Sequence, residues 1–490
     1  MANFYNDYQD RKNCNNIGGD GASCSIDPST YALEELLLNE IKQIAFYVTK
    51  LADFNLQNEN IMQKAIRALS VILINTAFRM DDYKNLLYNL EIDKLEVREK
   101  YLECAKENRI KYELVENAIK LPEKATLTNL LRAGEALVVE KRNSYEPKKL
   151  SLIELITFFA KTTSINIEKL SHLGFKNPEW NFQILKFLNL TNISSKKTEK
   201  LKQSICDFSK ISFDIWKKLT ETLEKTYGKR IENNINFEIK EGKSILVSGS
   251  DLDELDKLLE AVEGEDINIY TNSSLFSAFC YPHFLKYKNL IGHFGDENAE
   301  IDFTNFKGVI FTTQNFLQKV DYLRHGTIYT TKIIAPEKMI RVTDYDFKPL
   351  IENALKTTGF AKEDVQKSKE VTLKYNIQDI DNIIEGANGK EIYVIVGSYN
   401  KEEILKKFEG KTLIKLDSPV EIQLLIHILN KTNCTNLVLV LTHCTPNTIN
   451  ILLSTLFSNP VKIYFAKCPN YLINPHIIAA LTEEFDVEMI

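Results

Sequence analysis

The sequence predicts a multidomain α/β chain, in which an N-terminal helical bundle is followed by two Rossmann-like parallel α/β domains. From Tyr31 to about Gly228, apolar residues recur three and four positions apart with few helix breakers, as in packed amphipathic helices. After about residue 235, short β-prone runs alternate with stretches of helical spacing, which is typical of parallel strands joined by crossover helices. At 490 residues the chain is too long for one ordinary core and favours about three domains.

The helical region contains several segments with a continuous apolar stripe. They are LEELLLNEIKQIAFYVTKL, QKAIRALSVILINTAF, LIELITFFAKT and WNFQILKFLNL. Such a stripe of Leu and Phe indicates a helix that faces the core of a bundle. Residues 58–78 and 80–106 are predicted to be long antiparallel partners joined by a short turn.

The first α/β region begins with a strand, turn, helix and strand. Residues 245–247 are β-prone and end in Ser248-Gly249-Ser250, leucines then recur at helical spacing up to Gly264, and residues 267–271 form a second strand. Residues 309–311 are a third. A parallel sheet places any ligand site at the carboxyl ends of its strands, which here read SGS, TNSS and TTQN.

The last region contains four strand and helix pairs. The predicted strands cover residues 391–396, 412–416, 436–441 and 461–465, and each is followed by a stretch of helical spacing. Because these strands are nearly all apolar, they are expected to be buried on both faces in a parallel sheet. The segments that follow them, GSYN, LDSP, LTHCTPN and AKCPN, are polar.

Composition excludes several classes of protein. A net charge of −6, with basic and acidic residues interleaved, disfavours a nucleic-acid partner. The longest apolar runs fall short of the roughly 20 residues of a membrane helix, so no membrane contact is expected. The N-terminal sequence has no apolar signal region, and the eight cysteines form no CxxC pair, so we expect a cytoplasmic protein with reduced thiols.

The order of several short motifs carries a resemblance to a known family. SGSDL, LLEAVEGE, IGHFGD, FTT, RHGTIYTT and the C-terminal PNYLINPHIIAALTEEFDVEMI resemble the hybrid-cluster proteins, also called the prismane or hydroxylamine reductase family. The resemblance spans the chain and implies the hybrid-cluster protein fold. It implies a degenerate cluster segment at 1–30, a helical bundle at 31–234, a first α/β domain at 235–368 and a shortened second α/β domain at 369–490.

The resemblance also implies a set of iron ligands from which this chain departs. The family holds an iron-sulfur-oxygen cluster with one His, two Glu and four Cys, one of them persulfidated. Neutral hydroxyl and amide side chains stand at the matching positions that can be placed, and they lack the charge and orbital overlap that iron-sulfur clusters need. These positions are Ser250 for the His, Ser274 and Thr445 for the two Glu, and Asn315, Ser398 and Ser418 for three of the Cys.

A second, conventional cluster of the family is bound by four cysteines near the N terminus. Cys14 and Cys24 match two of them, whereas Tyr5 and Tyr8 stand at the other two positions. Two thiolates cannot close a four-cysteine site. A cluster bridged between two chains, a mononuclear metal on Cys14 and Cys24, and a pair of unused thiols are the three alternatives.

Three functions follow as hypotheses. The first is a pseudoenzyme without an iron-sulfur cofactor, acting as a binding or scaffold protein with a protein partner, as a monomer or homodimer. The second is an active oxidoreductase that reduces hydroxylamine or nitric oxide with a metal site rebuilt on Cys280, His443, Cys444 and Cys468. The third is a module that binds a small anion or a nucleotide in the polar pocket left by the lost ligands.

Overall fold

A helical bundle and two parallel sheets make up the described part of the chain. This arrangement confirms the predicted fold class. The computed structural model describes residues 28–73, 79–115, 125–192, 197–295, 303–313, 328–336, 338–365, 371–372, 377–396, 401–416, 422–432, 436–441, 446–456, 461–465, 475–485 and 487–489.

Long helices form the N-terminal bundle. They are α1 (Pro28–Ala52), α2 (Glu59–Val71), α3 (Met80–Glu107), α4 (Leu127–Ser144), α5 (Pro147–His172), α6 (Pro178–Asn189) and α7 (Thr198–Tyr227). Helix α5 begins with a proline, whose fixed φ suits the first helical turn. By length and composition α5 could cross a membrane, but 83% of its most apolar window is buried inside the fold, so it is a core helix.

The predicted pairing of residues 58–78 with residues 80–106 is wrong. Helix α3 packs along α1, while α2 packs against α5 and α6 and touches α3 only slightly. One physical reason is a buried ion pair between α3 and α1, in which Lys94 Nζ lies 2.8 Å from Glu40 Oε2. Removing either partner would leave an uncompensated buried charge, so the pair favours α1 as the neighbour of α3, although Lys64 of α2 also pairs with Asp93 of α3 at 2.7 Å.

The first α/β domain is built on a parallel sheet. After β1 (Asn234–Ile235), its strands are β2 (Lys243–Ser248), β3 (Ile267–Asn272), β4 (Leu290–His293), β5 (Val309–Thr312), β6 (Ile328–Thr330) and β7 (Ile340–Arg341), in the order β4-β3-β2-β5-β6-β7. Helix α8 (Leu252–Ala261) connects β2 to β3, and α9 (Lys348–Lys356) follows the sheet. Strands β2 and β3 pair in register up to Ser248 opposite Asn272, so their carboxyl ends lie side by side.

The second α/β domain confirms the four predicted strand and helix pairs. Its β9 and β11 strands are buried along their whole length, as expected for a sheet covered on both faces. The sheet is parallel, with the order β10-β9-β11-β12-β13. The elements are β8 (Val371–Thr372), α10 (Ile377–Gly386), β9 (Ile392–Val396), α11 (Lys401–Lys407), β10 (Thr412–Leu416), α12 (Ile422–Thr432), β11 (Leu437–Leu441), α13 (Pro446–Leu456), β12 (Lys462–Phe465), α14 (Pro475–Glu484) and β13 (Glu488–Met489).

The bundle is joined to the two α/β domains in different ways. Helices α13 and α14 pack on α5 and α7, and one hydrophobic core runs through the bundle and the second α/β domain. The first α/β domain has separate cores on the two faces of its sheet. Strands β1 and β8 form a short antiparallel ribbon that ties the starts of the two α/β domains together.

Candidate functional site at the carboxyl edge of the first sheet

The turn after β2 is held by the end of the neighbouring strand β5. Gly249 has a φ of +133°, and a Cβ at this position would lie 2.2 Å from Thr313 Oγ1, so a side chain here would clash. The Thr313 hydroxyl accepts hydrogen bonds from the backbone N–H groups of Ser250 at 3.1 Å and Asp251 at 3.2 Å. The small residues of the SGSDL motif therefore allow two strand ends to approach closely.

A second set of hydrogen bonds connects the ends of β2, β3 and β4. The Ser248 hydroxyl donates to Asn272 Oδ1 at 2.7 Å, and Asn272 Nδ2 donates to the Phe294 carbonyl at 2.8 Å. Ser273 follows with a φ of +59°, and the carbonyl of Ser274 accepts a hydrogen bond from the Ser277 hydroxyl at 3.0 Å. The polar strand ends are thus largely occupied in bonding one another.

A lysine from the bundle reaches the turn after β2. Lys169, near the end of α5, places its Nζ 3.0 Å from Ser250 Oγ and 3.2 Å from the Ser250 carbonyl oxygen. Burial lowers the pKa of the Lys169 ammonium below its ordinary value. The hydroxyl of Ser250 therefore faces a basic nitrogen of the chain itself.

Asp251 begins helix α8 and lies among basic groups. Its side chain caps the helix by accepting from the Asp253 backbone N–H at 3.2 Å. Its Oδ2 lies 3.6 Å from His172 Nδ1 and 3.8 Å from Lys332 Nζ. Burial opposes ionisation of Asp251, but the nearby His172 and the charge of Lys332 outweigh it and hold the pKa of this carboxyl well below its usual range.

Glu254 lies one helical turn further along α8 and is 1% exposed. Its Oε1 accepts hydrogen bonds from the Thr331 hydroxyl at 2.5 Å and from Lys332 Nζ at 3.0 Å. Its Oε2 is buried and has no hydrogen-bond partner among the described residues. Burial raises the pKa of Glu254 because Lys332 only partly compensates the lost hydration.

His172, Glu254 and Lys332 border a cavity of about 150 Å³ between the bundle and the first α/β domain. Asp344 and Tyr345 on its wall have φ values of +51° and +57°, a conformation that non-glycine residues rarely adopt. Strained backbone of this kind occurs often at binding sites. The lining includes Arg67, Glu168, His172, Glu254, Lys332 and Tyr345.

Comparison with known proteins decides the family. The profile of the prismane/CO dehydrogenase family matches residues 10–407. The chain belongs to this family. The resemblance to the hybrid-cluster proteins is thereby confirmed, and the matched part covers the bundle, the first α/β domain and the start of the second.

Curated relatives carry the name hydroxylamine reductase. The protein of Syntrophobacter fumaroxidans is 27% identical over 383 residues, which cover 77% of this chain and 69% of the relative. The protein of Thermodesulfovibrio yellowstonii is 24% identical over 371 residues, with coverages of 74% and 67%. The protein of Clostridium novyi is 25% identical over 375 residues, with coverages of 72% and 64%. The alignments thus span about two thirds of the length of each relative.

Two of the predicted prismane ligand positions lie in the described part of the chain. Ser250 and Ser274 follow β2 and β3, which are neighbours in the sheet, so the fold brings both to one edge. Neither side chain offers a thiolate, an imidazole or a carboxylate at that edge. The predicted positions Asn315, Ser398, Ser418, Thr445, Cys14 and Cys24 lie outside the described residues.

Of the four residues in the rebuilt metal site hypothesised from sequence, the structure describes one, Cys280. Cys280 is 1% exposed in the first α/β domain. His283, three residues later, places its Nε2 2.7 Å from Asp256 Oδ1, which also accepts from the Tyr287 hydroxyl at 2.7 Å. His443, Cys444 and Cys468 lie outside the described residues.

Sequence reasoning missed Lys169, His172 and Lys332 as residues of this site. Lys169 and His172 end an apolar helix, where basic residues are ordinary, and Lys332 follows a short strand. Their partner segment lies about 80 residues away in the chain. A local pattern therefore contained no signal for them, although the SGSDL turn that they meet was recognised.

Proposed function

We propose that this prismane-family chain works without the hybrid iron-sulfur cluster and acts as a binding or scaffold protein. The observation that carries the proposal is the 3.0 Å contact between Lys169 Nζ and Ser250 Oγ. By the family resemblance, residue 250 is the position of the cluster's histidine ligand. Here the Ser250 hydroxyl, hydrogen-bonded to the Lys169 ammonium, stands in place of an imidazole that would donate its lone pair to iron.

Charge supports the proposal as well as ligand type. An iron ion on residue 250 would lie within a few ångströms of the Lys169 ammonium, and like unit charges 4 Å apart repel by about 4 kcal/mol at an effective dielectric constant of about 20. Residue 250 itself is therefore unsuited to holding iron, both by its hydroxyl donor and by the charge of the neighbouring Lys169.

The preserved framework supports a binding or scaffold role. Strands β2, β9 and β11 are almost entirely buried, and continuous cores run through the described domains. A helix amino terminus attracts anions, but Asp251 already occupies that of α8, which disfavours binding of a small anion at this turn. We expect a protein partner and a cytoplasmic location.

Metal analysis of the protein purified without oxygen from its own cell tests the proposal. We expect iron and acid-labile sulfide near zero and no visible charge-transfer absorbance. A curated hydroxylamine reductase of the family, purified in the same way, is the positive control. Stoichiometric iron together with turnover of hydroxylamine would refute the proposal and favour the active oxidoreductase.

A double variant makes the test sharper. Lys169→Gln with Ser250→His removes the cation and restores the imidazole, while the other lost positions stay as they are. We expect this variant to remain free of iron, because one restored ligand cannot hold a cluster. If it acquires stoichiometric iron, the remaining residues supply enough ligands to hold a cluster, and the proposal that the ligand set is lost is wrong.

A further inference from the structure

Three side chains of the kind that bind metals meet where the bundle joins the first α/β domain. His172 is the last residue of α5, and Asp251 and Asp253 are the cap and the second residue of α8. One ligand atom from each lies within 4.8 Å of the other two. Among the described residues, this is the one group of three His, Cys, Asp or Glu side chains that meets this distance.

We propose that His172, Asp251 and Asp253 bind one divalent transition-metal ion, with Zn²⁺ as the ion that fits best. The proposal does not depend on the loss of the iron-sulfur cluster, because none of these three residues stands at a position assigned to that cluster. It adds a binding site to the fold and requires no redox step.

The geometry between the two domains fits an ion. His172 Nδ1 lies 3.6 Å from Asp251 Oδ2, which is too long for a hydrogen bond. Two ligands of a tetrahedral zinc ion, each about 2.1 Å from the metal, are about 3.4 Å apart. The buried Nδ1 atom makes no hydrogen bond within the described residues, and the neutral form of His172 can offer its lone pair there to a metal.

A second observation comes from the adjoining cavity. Glu254 and His172 both line this space of about 150 Å³, which has room for several water molecules. Glu254 is 1% exposed, and its Oε2 has no hydrogen-bond partner in the described structure. A water molecule that completes the coordination of the ion would supply the donor that this carboxylate oxygen lacks.

Two nearby lysines, Lys257 and Lys332, compete with the ion, and each has another partner. Lys257 Nζ lies 2.5 Å from Asp253 Oδ2, so the ion must displace this ammonium. The same Nζ lies 3.7 Å from the centre of the Tyr345 ring, where a cation–π contact remains after displacement. Lys332 retains its 3.0 Å contact with Glu254 Oε1.

The ligand types select the metal. One imidazole and two carboxylates suit Zn²⁺, Co²⁺ or Mn²⁺, whereas Cu⁺ and iron-sulfur clusters need sulfur. Since α5 belongs to the bundle and α8 to the first α/β domain, the ion would fasten these domains together. Binding should therefore raise the stability of the protein and release any proton held by His172.

Titration of the chelator-treated protein with Zn²⁺ in a calorimeter tests the site, and Co²⁺ reports its ligands by absorbance. We expect one strong site per chain and a Co²⁺ ligand-field spectrum without thiolate charge transfer. His172→Gln and Asp253→Asn should each weaken binding by about tenfold or more. His283→Gln is the matched control, because His283 pairs with Asp256 at 2.7 Å in the same domain without a third ligand, and it should leave the affinity unchanged.

Three outcomes would overturn the site. They are no binding by the wild-type protein, equal affinity in the wild-type protein and both variants, and a thiolate signal with Co²⁺, which would place the ion on cysteine. The wild-type Co²⁺ spectrum decides the ligand type even if a variant fails to fold. None of these outcomes touches the proposed loss of the cluster, which is measured by iron and sulfide.

Discussion

The bundle meets the two α/β domains through junctions of opposite chemistry. Towards the second α/β domain, one hydrophobic core is continuous across the boundary and the polar network within it is neutral. Towards the first α/β domain, the cores are distinct and meet only through a few residues such as Ile334, Leu173 and Leu223, the polar groups are charged, and a cavity of about 150 Å³ lies between the domains. The first arrangement fixes the position of the second α/β domain on the bundle, and the second leaves charged groups available to a ligand.

The neutral junction is organised by Asn450 of α13. Its Oδ1 accepts a hydrogen bond from Trp216 Nε1 at 2.6 Å, and its Nδ2 donates to the hydroxyls of Thr162 at 2.8 Å and Thr163 at 3.0 Å. All four residues are buried. Asn450 has hydrogen bonds at both its oxygen and its nitrogen, although Asn166 Oδ1 beside it is buried without a partner in the described structure. A buried network of this kind tolerates little displacement, so it sets how α13 lies on α5 and α7.

The charged junction shows the opposite balance. Glu254 Oε2 is buried without a hydrogen-bond partner in the described structure, and His172 Nδ1 is in the same state. A buried unpaired polar atom costs about 1–3 kcal/mol, and a bound ligand that pairs it recovers part of that cost. The comparison indicates that the junction with the first α/β domain is the one shaped for binding.

The largest predicted effect comes from Lys332→Met at the charged junction. This change removes the ammonium that faces the buried carboxylates of Glu254 and Asp251. Breaking a buried pair leaves an uncompensated charge, so we expect the free energy of unfolding to fall by about 3 kcal/mol. Urea unfolding followed by circular dichroism measures this loss.

Two companion variants separate charge from packing in that experiment. Lys332→Met combined with Glu254→Gln should recover much of the stability, because the unpaired charge is removed as well. Lys431→Met is the surface control, since Lys431 is 40% exposed and lies 3.5 Å from Asp381, and it should cost less than about 1 kcal/mol. Equal losses of stability for Lys332→Met and Lys431→Met would show that the buried charges of the junction contribute no more to stability than an exposed ion pair does.

A somewhat smaller effect is expected from Asn450→Ala at the neutral junction. The change leaves the Trp216 N–H and two threonine hydroxyls without this partner, and we expect a loss of about 2 kcal/mol in the free energy of unfolding. Asn382→Ala, on an exposed helix position, is the matched control and should stay within about 0.5 kcal/mol of wild type. A negligible loss at Asn450 would mean that apolar packing alone holds this junction.

The fold was largely predictable because strands and helices leave local periodic patterns. Residues 245–247 and the leucines after Ser250 specify β2 and α8 from within one short segment. The partner of α3 was not predictable in this way, because it depends on contacts distant in sequence, such as the ion pair between Lys94 and Glu40, which are 54 positions apart. Periodicity determines elements, whereas pairing depends on contacts distant in sequence.

The candidate site was predictable in position but not in chemistry. The carboxyl ends of the strands follow from the parallel sheet, and Ser250 and Ser274 lie there. The approach of Lys169 to Ser250 and of His172 to Asp251 depends on how the bundle lies against the sheet. No local pattern in these segments indicates that packing, so the basic groups and the cavity could be recognised only in the structure.

Acid should weaken the first α/β domain more than the second. Within the first pH unit below 6.5, the loss of stability should be smaller than that caused by either substitution above. His293 at the end of β4 is 5% exposed, its Nδ1 lies 2.8 Å from Thr271 Oγ1, and burial lowers the pKa of its imidazole from 6.5 to about 3. The folded state thus keeps His293 neutral, whereas the unfolded chain binds a proton below pH 6.5. Stability is therefore complete above that pH and falls as the pH drops towards 3, by up to about 1.4 kcal/mol per pH unit for one proton.

Replacing His293 should flatten this acid dependence. His293→Asn removes the buried imidazole, so the free energy of unfolding of this variant should fall less than that of wild type between pH 6.5 and pH 4.5. At neutral pH the variant should be less stable than wild type, because Phe237 and Phe276 lose a packed ring. His427→Gln, at a partly exposed pair with Asp381, is the control and should not flatten the curve. Hydrogen exchange locates the effect, with faster exchange at low pH expected in β3 and β4 before β9 and β11. Parallel curves for wild type and His293→Asn would mean that protonation elsewhere governs the acid sensitivity, and that the two α/β domains do not differ in this respect.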